Sequence, residues 1–195
     1  MALTALDAKT ALLVIDLQQG ISPFTNPDTP SLEAVAERTN GLAEAFRRHK
    51  LPVAWIVVGG GPFGRTETAR SDRNRRWAVE GPPAGFTDLR ADLHVEPQDI
   101  RLTKTSAGAF STTDLQQQLT ALGVTQIVLA GVGTSNGVEI TGIQAYELGF
   151  NVTFATDAIT EKATASHVDS VGNVFPRLGE RGASSEIIAL LDRSR

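Results

Sequence analysis

Residues 127–149 read Ile127-Val-Leu-Ala130-Gly131-Val132-Gly133-Thr134-Ser135-Asn136-Gly137-Val138-Glu139-Ile-Thr141-Gly-Ile-Gln-Ala145-Tyr-Glu-Leu148-Gly149. An apolar, β-branched run enters a turn carrying three glycines, and a helical pattern leaves the turn and stops at Gly149. Outward from this unit the same theme repeats. Apolar runs at Ala11–Ile15, Val53–Val58, Ile100–Leu102, Gln126–Ala130 and Val152–Ala155 predict strands. Their apolar character is continuous rather than alternating, as in a parallel sheet buried on both faces. The intervening segments predict helices. Ser31 caps one through His49, with Leu32, Val35, Ala36, Leu42 and Phe46 on a single face. Thr113 or Asp114 starts a second that ends at Gly123, and Gly137 or Val138 starts a third. Ser166–Phe175 reads as a fourth, halted at Pro176, and Ser184/Ser185 opens a last one. Strands alternating with helices predict an α/β fold, a doubly wound three-layer α/β/α sandwich, as one domain over residues 1–195.

The chain has 195 residues, 41% of them apolar, enough for one sizeable core. A net charge of −4 gives no general attraction to nucleic acid or to anionic membranes. No apolar run approaches the roughly 20 residues of a membrane span. Met1–Lys9 has no apolar h-region, so no secretory signal is expected and the predicted location is cytoplasmic. There is no cysteine. Disulfides, thiolate metal sites and a cysteine nucleophile are therefore excluded.

The Gly131–Gly137 turn admits three readings. As GxGxxxG it approaches a dinucleotide fingerprint. That fingerprint belongs in a first strand–helix unit, whereas the first turn here is Asp16-Leu17-Gln18-Gln19-Gly20, with a carboxylate where phosphate would sit. As Gly133-Thr134-Ser135-Asn136-Gly137 it is literally a G-x-S-x-G serine elbow, with Asp157 and His167 following in hydrolase order. Only one strand and a loop separate Ser135 from His167, and no HGGG-like oxyanion segment precedes the turn. The plainer alternative is that Ser135 and Asn136 satisfy turn backbone while His167 packs or caps.

The third reading is a resemblance. Ala11–Gln18 with Asp16, Lys104 followed by Ala109-Phe110, Thr113-Asp114-Leu115, Gly131–Thr141, Ala145–Phe150, Asp157-Ala158 and His167 occur in an order that resembles the isochorismatase-like hydrolase family. The resemblance spans roughly Leu6 to Leu190. It implies a six-stranded, mostly parallel, Rossmann-like sheet with the active site at the strands' carboxyl ends. Most members hydrolyse amides such as nicotinamide or N-carbamoyl compounds with an Asp, Lys and Cys triad. Asp16 matches the Asp and Lys104 the Lys, and Gly137 stands where the nucleophilic Cys would be. Isochorismatases proper similarly keep the Asp and Lys with glycine at the third place, and they cleave a vinyl ether by protonation and water. The metal-binding members carry a DxH-type cluster after the second strand. Here Val57-Val58-Gly59-Gly60-Gly61-Pro62 has no histidine, so neither metal nor cofactor is expected. Homo-oligomerisation is expected from relatives.

Asp16 and Lys104 thus form the expected catalytic pair with Gly137. Pairing favours the charged carboxylate, which suits a base, unless burial raises its pKa enough for an acid. Thr134, Ser135, Asn136 and Val138 are expected to shape the substrate site, the N–H groups of residues 136–138 serving as donors at a helix N-terminus. Phe24, Phe110 and Trp77 are expected as pocket walls. Arg65, within the cluster Arg65, Arg70, Arg73, Arg75 and Arg76 of an irregular lid over Gly59–Gly85, is expected to meet an anionic substrate. An acidic complement of Glu67, Asp72 and Glu80 leaves a salt-bridged surface equally open. The functions in view are vinyl-ether hydrolysis of a small anionic metabolite without a covalent intermediate, a degenerate metabolite-binding or oligomeric scaffold, and a Ser135-dependent hydrolase.

Overall fold

The computed structural model describes residues 3–21, 26–61, 66, 76–77 and 79–193. Six strands form one sheet: β1 (Thr10–Ile15), β2 (Val53–Val58), β3 (Ile100–Lys104), β4 (Gln126–Val132), β5 (Asn151–Thr160) and β6 (Glu180–Gly182). Their order is β3-β2-β1-β4-β5-β6, and every pairing is parallel. The order reverses at β1/β4, which opens a crevice at the carboxyl edge between those strands.

Strand parity divides the core. Leu12 and Val14, Val53 and Trp55, and Val128 and Ala130 face one layer, built on α1 (Leu32–Arg48) and α6 (Ser184–Arg193). Leu13 and Ile15, Ala54 and Ile56, and Ile127 and Leu129 face the other. That second layer includes α2 (Leu115–Ala121), α3 (Glu139–Glu147) and α5 (Phe175–Leu178), the last stacking Phe175 on Phe154 at 3.7 Å. Because alternate side chains serve opposite layers, each central strand must be apolar throughout. Ser31 caps α1 as expected, its Oγ accepting the Ala34 N–H at 3.2 Å.

Two elements depart from the sequence reading. The helix expected to halt at Pro176 instead runs on: α4 (Thr164–Asp169) passes through a π-helical segment, Ser170–Val174, into α5. Pro176 falls in the first turn of α5, directly after the π-helical segment. β5 was expected to end at Ala155 but continues to Thr160, past a register shift between the pairs Leu129–Phe154 and Gly131–Ile159. The inserted residues carry Asp157 out of the ladder. Its carboxylate accepts the Ser184 N–H at 2.7 Å and the Ser184 hydroxyl at 2.8 Å, fixing the start of α6.

Among the described residues, no helix is long and apolar enough to cross a membrane.

Candidate active site

The elements that end at the carboxyl edge converge on one cavity of about 620 Å³, a size suited to a small metabolite. Asp16 follows β1, Lys104 closes β3, the Gly133–Gly137 turn follows β4, and Glu161 follows β5. All of these segments contribute to the cavity wall, together with Ile21, Val58, Gly60, Gly61, Ser106, Ala107 and Val132.

Asp16 leaves β1 with a positive φ of 55°, a conformation uncommon for a residue with a side chain. Its N–H is held by Ile56 O at 2.8 Å, and its carbonyl accepts the Gln18 N–H at 2.9 Å. Gln18 is buried and fixes this corner: its amide donates to Val58 O at 3.0 Å and Phe86 O at 2.8 Å, and accepts the Val58 N–H at 2.7 Å.

Lys104 is 1% exposed, and its ammonium has three acceptors: Asp16 Oδ2 at 2.9 Å, Ala107 O at 2.7 Å and Ser106 O at 3.2 Å. A lysine has three N–H donors, so Lys104 is fully engaged. Asp16 Oδ1, by contrast, is buried without a hydrogen-bond partner among the described residues. Burial pushes the Asp16 carboxyl up to about 6, against the opposing charge and hydrogen bond of Lys104. Desolvation outweighs the pairing. With Oδ2 facing an ammonium, the proton taken up near neutral pH belongs on Oδ1.

Gly137 lies against this pair. A Cβ there would stand 2.8 Å from Asp16 Oδ2 and 2.9 Å from Ile15 Cγ2. Any side chain at 137 must move the carboxylate that Lys104 holds. Gly137→Ala is therefore expected to destabilise the fold by about 1–3 kcal/mol, read as a lower urea midpoint. An unchanged midpoint would mean that Asp16 sits farther from the turn than here.

The turn itself is π-helical, Thr134–Val138, entered through Gly133 in the left-handed conformation at φ 77°. The helix therefore starts one turn earlier than the sequence suggested, and this changes its donors. The N–H groups of Asn136 and Val138 both donate to Gly133 O, at 2.9 and 3.1 Å. Two of the three donors expected at residues 136–138 are thus taken within the turn. Gly131, at φ 124°, lets β4 approach β1 so closely that a Cβ would fall 2.0 Å from Ile15 O.

The other expected site residues distribute unevenly. Gly137 and Asn136 line the cavity with Asp16 and Lys104. Thr134 and Val138 are fully buried beneath the turn, outside the cavity wall. Phe110 is a core residue, stacked on Phe150 at 5.9 Å, not a pocket wall. Trp77 packs edge-on against Phe86 at 4.8 Å and lines a separate hollow with Gln19, Gly20 and Leu89. Phe24 and Arg65 lie outside the described residues, as do Arg70, Arg73 and Arg75, while Arg76 is exposed. The serine triad is not assembled: Ser135 donates to Glu161, Asp157 holds Ser184, and His167 Nδ1 bonds Thr134 Oγ1 at 2.9 Å. Burial lowers the His167 pKa, against the pull of Glu161. Among the described residues, no group of three His, Cys, Asp or Glu side chains is placed to hold a metal ion.

Glu161 and Gln18 carry geometry that the sequence reading did not assign. Gln18 was visible only as part of a motif. Glu161 follows two β-branched residues, Ile159 and Thr160, whose continuation of β5 was its one available signal.

Known proteins resemble the chain in sequence and in fold. The Isochorismatase domain model matches residues 10–184. The Escherichia coli O157:H7 protein named "Uncharacterized isochorismatase family protein YecD" is 36% identical over 188 residues, covering 95% of this chain and 98% of its own. An Arabidopsis thaliana protein named "Probable inactive nicotinamidase" is 30% identical over 168 residues, covering 83% and 86%. The solved structure of an isochorismatase family protein from Burkholderia thailandensis is similar with a TM-score of 0.81 and 33% identity, covering 96% of this chain and 98% of that one. With the 3-2-1-4-5-6 parallel sheet and a match over most of its length, the chain belongs to the isochorismatase family of hydrolases.

Proposed function

We propose that this chain hydrolyses a small vinyl ether of the isochorismate type by acid catalysis and water, with no covalent enzyme intermediate. The observation that carries the reading is the Asp16 carboxyl: buried, raised to about 6, and unpartnered at Oδ1 among the described residues. A vinyl ether needs a proton delivered to carbon, and a carboxyl raised toward neutrality retains a protonated fraction that can deliver it. Lys104 holds the other oxygen and so fixes which one carries the proton. Amide hydrolysis is poorly served here. The chain has no thiol, and two of the three N–H groups expected to meet an oxyanion, those of Asn136 and Val138, are engaged by Gly133 O.

The test is a panel of isochorismate, nicotinamide and a carbamoyl amide given to the purified protein, with pyruvate release reporting vinyl-ether cleavage. Isochorismate is expected to turn over and the amides to remain. Amide hydrolysis at a rate comparable to isochorismate would overturn the reading.

A second reading has its own observation in its favour. Gly137 leaves the family's nucleophile position without a reactive side chain, and one relative bears a name that calls it inactive. On that reading the cavity binds a metabolite without turning it over. It predicts ligand binding that survives Asp16→Asn, with no product from any member of the panel.

A further inference from the structure

The charges around the cavity point to the kind of transition state it can hold. Among the described wall residues the one ammonium, Lys104, is engaged by three acceptors. Two carboxyl groups remain, Asp16 and Glu161. Walls of this kind stabilise positive charge developing on a substrate far better than negative charge.

Glu161 is held firmly. Its Oε2 accepts the Ser135 N–H at 3.2 Å and the Ser135 hydroxyl at 2.9 Å, and its Oε1 accepts the Lys162 N–H at 2.8 Å. Its carbonyl accepts bonds from Asn26 Nδ2 and Thr29 Oγ1, each at 3.2 Å. The sheet also sets its distance from Asp16. Asp16 follows β1 and Glu161 follows β5, with β4 between them. At a spacing of roughly 4.8 Å between neighbouring strands, the two backbones lie on the order of 10 Å apart. That leaves room between the carboxyl groups for a reacting carbon and a water.

We infer that Glu161 is a second catalytic carboxylate, the base that takes a proton from the water attacking the substrate. This rests on the vinyl-ether reading above. The Asp16 carboxyl gives its proton to the terminal vinyl carbon, a C–H bond forms from the π electrons, and the ether carbon becomes an oxocarbenium. The cation is stabilised by the Glu161 carboxylate as it forms. Water adds to that carbon and its proton passes to Glu161, giving a hemiketal. The hemiketal hydroxyl returns a proton to Asp16 as the C–O bond breaks, and the departing alkoxide takes the proton from Glu161. Ketone and alcohol leave, and both carboxyl groups return to their starting states.

The alternative is that Glu161 only pins the turn through Ser135. Glu161→Gln separates the two roles, because its amide oxygen can still accept from Ser135 but it is no base. On isochorismate, Glu161→Gln is expected to lower kcat about 100-fold with an unchanged melting temperature. Glu161→Ala is expected to show the same loss, with added formate restoring part of the rate. Asp16→Asn is measured alongside. Glu161→Gln within threefold of wild type, or Glu161→Ala unresponsive to formate, overturns this inference while leaving an Asp16-dependent hydrolysis intact. Absence of vinyl-ether turnover by the wild type removes the underlying reading and this inference with it.

Discussion

Asp16→Asn is expected to lower kcat on isochorismate by about 10³-fold, within the range for losing a general acid. Asparagine keeps an oxygen for the Lys104 ammonium, so the fold should survive with a modest fall in melting temperature. It has no proton to transfer. The wild-type pH profile should carry the same signature. The reactive form is the protonated carboxyl, held at about 6 by burial. Just below that pH, kcat/KM should level off, and it should fall again in more acid solution once the Glu161 base is protonated. Above it, the rate should fall tenfold for each pH unit as Asp16 loses its proton. A profile that instead rises through pH 6 would mean that Asp16 acts as a base, and the acid mechanism would be wrong. His167 titrates apart from the transferred proton, since its ring bonds Thr134 outside the cavity wall.

The central half of this design was legible in the sequence for a physical reason. β1, β2 and β4 are buried on both faces and must be apolar at every position, so their runs stand out. A carboxylate directly after such a run, as Asp16 is, costs too much to leave without a role or a partner. Lys104, at the end of a strand two places away in the sheet, was the natural candidate for that partner. The edge of the sheet was not legible. β6 is Glu180-Arg-Gly182, three residues with no apolar pattern, and the far half of β5 is interrupted by the polar Asp157. Losing that half of β5 also lost Glu161. The packing of Phe110 and Trp77 was hidden for a different reason. Phe110 and Trp77 lie in irregular segments beside the site, but aromatic faces find each other, and Phe150 and Phe86 took them up. The π-turn was hidden because its signal, the left-handed Gly133, reads in sequence as one more turn glycine. Its consequence is chemical, since the wide turn brings the Val138 donor to Gly133 O, which also accepts the Asn136 N–H three residues on.

Lys104→Met is expected to produce the largest stability change, and one that grows with pH. Methionine has similar length but neither charge nor donors, so Asp16 Oδ2 and the carbonyls of Ser106 and Ala107 each lose the ammonium. Removing one member of a buried ion pair typically costs about 3–5 kcal/mol when the other stays ionised. Asp16 can escape that cost by keeping its proton, so its pKa should climb above the wild-type value of about 6. The sign of the pH effect follows. A carboxyl raised in the folded state binds its proton more tightly there than in the unfolded chain, whose pKa is about 3.9. Stability therefore falls as pH rises from the unfolded value toward the folded one, by about 1.4 kcal/mol per pH unit for one proton. In the wild type this loss from Asp16 ends near pH 6. In Lys104→Met it should continue above pH 6, so that urea midpoints at pH 5 and pH 8 differ far more than in the wild type. Asp16→Asn combined with Lys104→Met removes the titrating group, and the extra slope should vanish even if the double variant is less stable at every pH. A Lys104→Met midpoint that matches the wild type from pH 5 to pH 8 would show that the Asp16–Lys104 pair is not a buried one in solution. The raised pKa on which the acid mechanism depends would then have lost its physical cause.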